Sequence, residues 1–327
     1  MTTFKEIRGT LIKSLSSDPS PIANGDIWYN STSQTLKGVL PVYAWASGGA
    51  LGTARDEAGG ASQGTQTAAL AFGGYGGSAL GITEEYNGTS WSEQNDLNTA
   101  RFGLLGGAGI QTAALCFGGD AGGGALAINE EYDGTSWTER GDLNTARNQL
   151  AGLGTSTAAL AVGGQTTPSG LDVTEEYNGT SWSEQNNLTV ARYGFASAGL
   201  QTAGAVFGGV QSPPTKTAVT EEYDGTNWTT GGSMINIKYN HGGGGAQTAA
   251  IAFGGQISPG AVSAITEGYD GTSWSTRPAM ATARSQISGS SGTSNTAAIA
   301  FGGVAGPYST ATEEFSGTAT TKTFTTS

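Results

Sequence analysis

The chain has 327 residues, with 14 basic and 26 acidic side chains, a net charge of −12 and one histidine, His241. Phosphate backbones demand clustered Lys and Arg, so this balance argues against a nucleic-acid partner and for a protein that stays in solution. One cysteine, Cys116, excludes an intrachain disulfide framework, and no apolar run reaches the roughly 18 residues of a membrane span. The opening MTTFKEIRGTLIKSLSS lacks the apolar centre and cleavage site of a secretory signal, so none is expected.

Residues 1–40 stand apart. FKEIRGTLIKSL alternates loosely, SSDPSP is a turn-rich break, and GDIWYNSTSQTLKG reads as a hairpin over a short polar turn. This stretch holds four basic and three acidic residues, which leaves the remainder with 10 basic and 23 acidic, or −13. Through Gly25, Ile27, Trp28, Tyr29, Asn30, Leu36 and Lys37 it resembles the attachment region of bacteriophage virion proteins, in which such a hairpin precedes a variable distal domain. The resemblance implies a tail- or capsid-associated component that docks on other virion proteins through Ile27, Trp28, Tyr29 and Leu36. The alternative is a hairpin that only caps the rest of the fold.

From residue 41 onward the chain repeats. A small apolar run ends in a Gly pair at 73–74, 118–119, 163–164, 208–209, 254–255 and 302–303, at spacings of 45, 45, 45, 46 and 48. A fixed period of this size marks a repeat architecture, and it explains 55 glycines that would otherwise suggest disorder. Each unit offers four short strands. The first follows a basic residue (Arg55, Arg101, Arg147, Arg192, Lys238, Arg284) and is rich in Gly, Ala and Ser, which suits strands crowded on an axis. The second is a short apolar run of the kind buried on both faces. The third and fourth flank Asn-Gly or Asp-Gly (87–88, 133–134, 178–179, 224–225, 270–271), the signal for a tight two-residue hairpin turn. A Trp five residues after each Tyr (Trp91, Trp137, Trp182, Trp228, Trp274) supplies a face for packing between sheets.

Apolar run, Gly pair, Tyr, Trp and a basic opener in phase resemble the kelch repeat over residues 45–315. The resemblance implies a β-propeller. Every repeat Trp lies ten residues before the next opener, and Trp45 stands in that relation to Arg55. The last unit has Phe315 in place of Tyr and Thr320 in place of Trp. The expected fold is therefore all-β: a six-bladed kelch-like propeller over 41–327, closed by an N-terminal strand around Trp45, after a hairpin docking segment over 1–40. The Thr-rich tail is expected to add an edge strand or meet a partner.

Candidate chemistry is sparse. The acidic pairs at 84–85, 130–131, 175–176, 221–222 and 313–314 recur in all but one unit, where Gly268 replaces the second Glu. Neighbours on a strand face opposite ways, so such a pair is no chelate; one Glu per unit is expected to neutralise the opener. His241 alone cannot assemble the copper site of kelch oxidases, and it reads as a polar group lining the channel. Cys116 reads as a small core residue. The sequons at Asn87 and Asn178 have Asp at the equivalent positions elsewhere, so turn chemistry is what the unit keeps. No metal, cofactor or catalytic residue is expected.

What varies between units is the connection after each Gly pair, most of all in the fourth and fifth. Loops on a rigid scaffold are where binding is usually placed, which selects Pro213, Pro214, Lys216, Tyr239, His241 and Tyr308. The expected function is a non-enzymatic virion protein that presents these loops to a host-surface glycan or protein, or to another subunit, a homo-oligomer included. The alternatives are a cytoplasmic kelch scaffold and, further off, a glycan-processing enzyme.

Overall fold

The computed structural model describes residues 12–23, 25–167, 169–211, 215–257 and 260–324. Every regular element among them is a strand. The strands gather mostly in four-stranded sheets, the pattern of a β-propeller-like fold. They divide into two compact units, Met1–Ala44 with Gly317–Ser327, and Trp45–Ser316.

In the first unit, Ile27–Asn30 pairs antiparallel with the start of Thr35–Ser47, Tyr29 opposite Leu36, and parallel with Lys13–Leu15. Asp18 ties this sheet together, accepting from Trp28 Nε1 (3.1 Å), Asn30 Nδ2 (2.7 Å) and Lys37 Nζ (2.8 Å). Lys37 above all, then Asn30, holds the Asp18 carboxyl below its usual range. Alternation sorts the side chains. Trp28 and Val39 are buried, whereas Ile27, Tyr29, Leu40 and Val42 are exposed. The C-terminal tail is a strand of this unit: Thr318 Oγ1 donates to the Val42 carbonyl (3.3 Å), and the Phe324 ring lies where a Cβ on Gly38 would be, 2.7 Å away.

In the second unit each repeat is an antiparallel meander in chain order, for example Ala151–Gly154, Ala159–Val162, Thr174–Tyr177 and Trp182–Gln185. The first strands need small residues because they crowd one another. At Gly152 a Cβ would lie 2.6 Å from the Phe117 ring and 3.0 Å from the Gly107 Cα. The second strands are the core, and Ala69–Phe72 is buried throughout. Cys116 belongs to one of them; burial pushes its thiol up to about 11.

Aromatic side chains join each sheet to the one before. Trp137 packs on Phe72 (5.1 Å between ring centres) and on its own Tyr132 (5.0 Å), and its Nε1 donates to Thr83 Oγ1 (2.9 Å). Trp228 to Thr174, Trp274 to Thr220 and Trp91 to Thr312 repeat that bond. Trp45 does the same, donating to Thr266 (3.0 Å) and packing on Phe253 (5.3 Å) and Phe315 (5.2 Å). Trp182 departs from the pattern. Its partner position is Asn129, and Trp182 Nε1 and Asn129 Oδ1 are both buried without a hydrogen bond.

The acidic pairs resolve into two separate jobs. The first Glu neutralises the basic opener of its own repeat: Arg55–Glu84 (2.7 Å), Arg101–Glu130 (2.5 Å), Arg147–Glu175, Arg192–Glu221 (2.7 Å), Lys238–Glu267 (3.4 Å) and Arg284–Glu313 (2.9 Å). Its other oxygen accepts a backbone N–H from the link between sheets, as Glu84 does from Gly52 and Glu130 from Asn98. At four junctions the second Glu accepts the Tyr hydroxyl of the following repeat: Tyr132–Glu85 (3.0 Å), Tyr223–Glu176 (3.0 Å), Tyr269–Glu222 (2.6 Å) and Tyr86–Glu314 (2.5 Å). At a fifth, Glu131 pairs with Arg140 instead (2.6 Å), and the Tyr177 hydroxyl is buried without a hydrogen bond. Gly268 and Phe315 are the two halves of one missing bond. Where the acceptor is gone, the next aromatic has lost its hydroxyl.

One turn expectation is corrected. Only the Gly of each Asn-Gly or Asp-Gly has positive φ, 88° to 91°, and four residues separate the paired Tyr86 and Trp91. The Asn87 side chain shapes the turn, its Oδ1 accepting from Thr89 N (3.0 Å) and Ser90 N (2.9 Å). Asp133 caps its turn alike, and the backbone donors of Ser136 and Thr135 hold its carboxyl below the usual range.

Candidate functional site

The residues just after the Gly pairs bridge those just after the openers: Tyr75 to Asp56, Asp120 to Phe102, Gln165 to Asn148 and Val304 to Ser285. The divergent connections arch back on these bridges, as Val210–Gln211 does against Thr215–Lys216. Links between sheets bond the same connections, Leu97 N to Gly81 O, Leu143 N to Ala127 O and Met234 N to Ala218 O. Connections and links therefore share one face.

At the centre of that face the second residue after each opener is left-handed: Glu57, Gln149, Asn240 and Gln286 at φ of 48° to 51°, Gly103 and Gly194 at 70° and 65°. Such backbone costs a side-chain-bearing residue about 1–2 kcal/mol, so something must hold it. Each is bonded to the next: Glu57 N to Gln286 O (3.1 Å), Gln286 N to Asn240 O (2.8 Å), Asn240 N to Gly194 O (2.7 Å), Gly194 N to Gln149 O (3.1 Å) and Gln149 N to Gly103 O (2.8 Å). Leu104 N then donates to Glu57 O (3.1 Å). A gap of about 10 Å³ lies among the first strands, lined by Gly60, Gly152, Ser197 and Gly243 among others.

Two carboxyl groups distinguish the first repeat. Glu57 Oε1 accepts from Gln286 Nε2 and from Gln149 Nε2 (3.5 Å). Burial raises its pKa, the two amides pull it partly back, and Asp120 raises it further. Asp56, 5% exposed, has an Oδ1 without a partner. Burial, then the Glu57 charge, pushes its carboxyl up to about 7. Beside them Tyr75 stands edge-on to Phe102 (5.1 Å) and to Tyr308 (5.8 Å).

Lys216 Nζ lies 4.5 Å over the Tyr239 ring, so these two meet across neighbouring repeats. Tyr308 is exposed beside Tyr75. Pro213 and Pro214 lie outside the described residues. His241 is no lining group: it is 1% exposed, against Phe207, with its ring against Gly208 and its Cβ against Gly255. Three residues after its opener, it takes the core position that Leu104, Leu150, Phe195 and Ile287 hold elsewhere. Burial, then the charge of Lys238, drives its pKa down to about 3, which makes it a neutral core side chain. In the first unit Ile27 and Tyr29 are exposed and Leu36 is half-buried, while Trp28 is interior.

Sequence reasoning passed over Asp56, Glu57, Gln149 and Gln286. Alignment of the two residues after each opener would have found them: Asp-Glu, Phe-Gly, Asn-Gln, Tyr-Gly, Tyr-Asn and Ser-Gln. Among the described residues no group of three His, Cys, Asp or Glu is placed to hold a metal ion, and no helix is long and apolar enough to cross a membrane. A scan against protein-family models finds no match, and a search of curated proteins finds none either.

Proposed function

We propose that Trp45–Ser316 is a six-bladed kelch-type propeller closed by the strand that carries Trp45, and that the chain is a non-enzymatic adhesion component of a bacteriophage virion. Closure is supported by Trp45, which makes to Thr266 and Phe315 the contacts other repeat Trp residues make, and by the run of backbone bonds from Glu57 round to Gln286. One observation carries the adhesion reading. The recurring polar side chains are spent inside the framework, as Arg–Glu, Tyr–Glu and Trp–Thr bonds, whereas the divergent connections gather on one face. Loops freed from structural duty on a rigid scaffold are suited to recognition.

Attachment falls to the N-terminal unit. Ile27, Tyr29, Leu40 and Val42 are uncharged and exposed, and burying them against another virion protein needs no desolvation of charge. Exposed side chains of this kind contribute little to folding. Ile27→Asp with Leu40→Asp in the full chain is therefore expected to melt within about 2 °C of the parent but to be missing from purified particles. Normal copy number of the double variant contradicts docking through this surface, and a parent protein never found in particles favours a cytoplasmic scaffold.

A further inference from the structure

We infer that Asp56 and Glu57 form, with Tyr75 and Tyr308, a binding site for the ammonium group of an amino sugar. The inference rests on reading the connection face as the binding face, and it supplies that face with a ligand class. In a repeat protein a structural device recurs, and what occurs once is free for another purpose. The acidic Asp-Glu step occurs once.

Glu57 is presented, not merely tolerated. Two amides, from the third and sixth repeats, converge on its Oε1, which leaves Oε2 to accept from a further donor. Asp56 Oδ1, in a side chain 5% exposed, is an acceptor with nothing to accept from, and such an atom is costly to keep until a donor arrives. Asp120 adds a third carboxylate, engaged by Asn148 Nδ2 (3.2 Å) and by the Gly122 and Gly124 amides. Among the described residues none of the three forms an ion pair. Tyr308, 38% exposed, is close enough to both carboxylates for them to raise its phenol pKa, after partial burial and Tyr75.

Unpaired carboxylates beside aromatic rings suit a cation that bears N–H donors. A neutral sugar would leave the charges uncompensated, and an anionic one would be repelled. The half-buried amides of Gln149, Asn240 and Gln286 around the centre favour a hydroxyl-bearing carrier over a plain alkyl amine.

The test is calorimetric titration of the full chain with glucosamine, N-acetylglucosamine, glucose and n-butylamine. Saturable binding is expected for glucosamine, weaker binding for butylamine, and none for the uncharged sugars. Asp56→Asn and Glu57→Gln should each weaken glucosamine at least tenfold. Stability separates a site residue from a structural one. The folded Asp56 carboxyl at about 7 lies above its ordinary value of 3.8, so ionising it costs stability that is fully lost above pH 7 and not lost below about pH 4. Asp56→Asn should therefore melt higher than the parent at pH 8, with the gain fading toward pH 4. No saturable glucosamine binding, equal binding of N-acetylglucosamine, unchanged affinity in both variants, or an Asp56→Asn protein that melts lower at pH 8 each overturns the inference. If exchange of residues 210–219 alters host adsorption while glucosamine fails, only the ligand class falls and the binding face stands.

Discussion

Arg101→Met is expected to cost about 3–5 kcal/mol, because it strands Glu130 as an unpaired charge among buried groups. Both side chains are 0% exposed and 2.5 Å apart. Arg101 also donates to the Cys116 carbonyl (3.0 Å), while Glu130 accepts from Asn98 N (2.7 Å). The pair thus holds a core strand, the third strand and the link to the preceding sheet at one point. Against a total stability of about 5–15 kcal/mol the loss is large. Thermal unfolding followed by circular dichroism should shift down by roughly 10 °C. Arg101→Met with Glu130→Leu should recover part of it, since no charge is then stranded, but not all, since Asn98 N loses its acceptor. A single variant that melts with the parent would mean the pair is not buried.

Deletion of residues 41–52 should be more damaging still. It removes Trp45 from Thr266, Phe253 and Phe315, Gly48 N and Leu51 N from the Thr312 and Thr310 carbonyls, and Gly52 N from Glu84. A bare strand edge beside buried Phe315 would remain, and uncovered edges pair with other chains. Light scattering should find oligomers or aggregate where the parent is monodisperse. Trp45→Ala, which keeps the backbone, should stay monodisperse and lose about 3 kcal/mol. A deletion variant that remained monomeric and melted like the parent would refute closure by this strand.

The framework was legible because repetition multiplies weak signals. One basic residue followed 28 or 29 residues later by Glu means little, but the same pairing in six phases isolates the opener and its carboxylate. The Tyr–Glu bond between repeats escaped that reading because its partners lie in different units, 47 residues apart. Yet the joint loss at Gly268 and Phe315 was visible in the sequence. His241 misled for a related reason. A strand of "HGGGG" looks polar and open, and only the phase of the repeat places the histidine at the position of Leu104 and Ile287. The Asp56–Glu57 centre needs three dimensions, since Gln149 and Gln286 reach it from 92 and 229 residues away.

The connections are the surface proposed to meet the host. Residues 210–219, the most divergent connection, can be exchanged for residues 165–173 of the third repeat, which also removes Lys216 from Tyr239. Particles that carry the exchanged chain should contain it at the parental copy number and adsorb to host cells at least tenfold more slowly. Unchanged adsorption at parental copy number would contradict the assignment of recognition to this face.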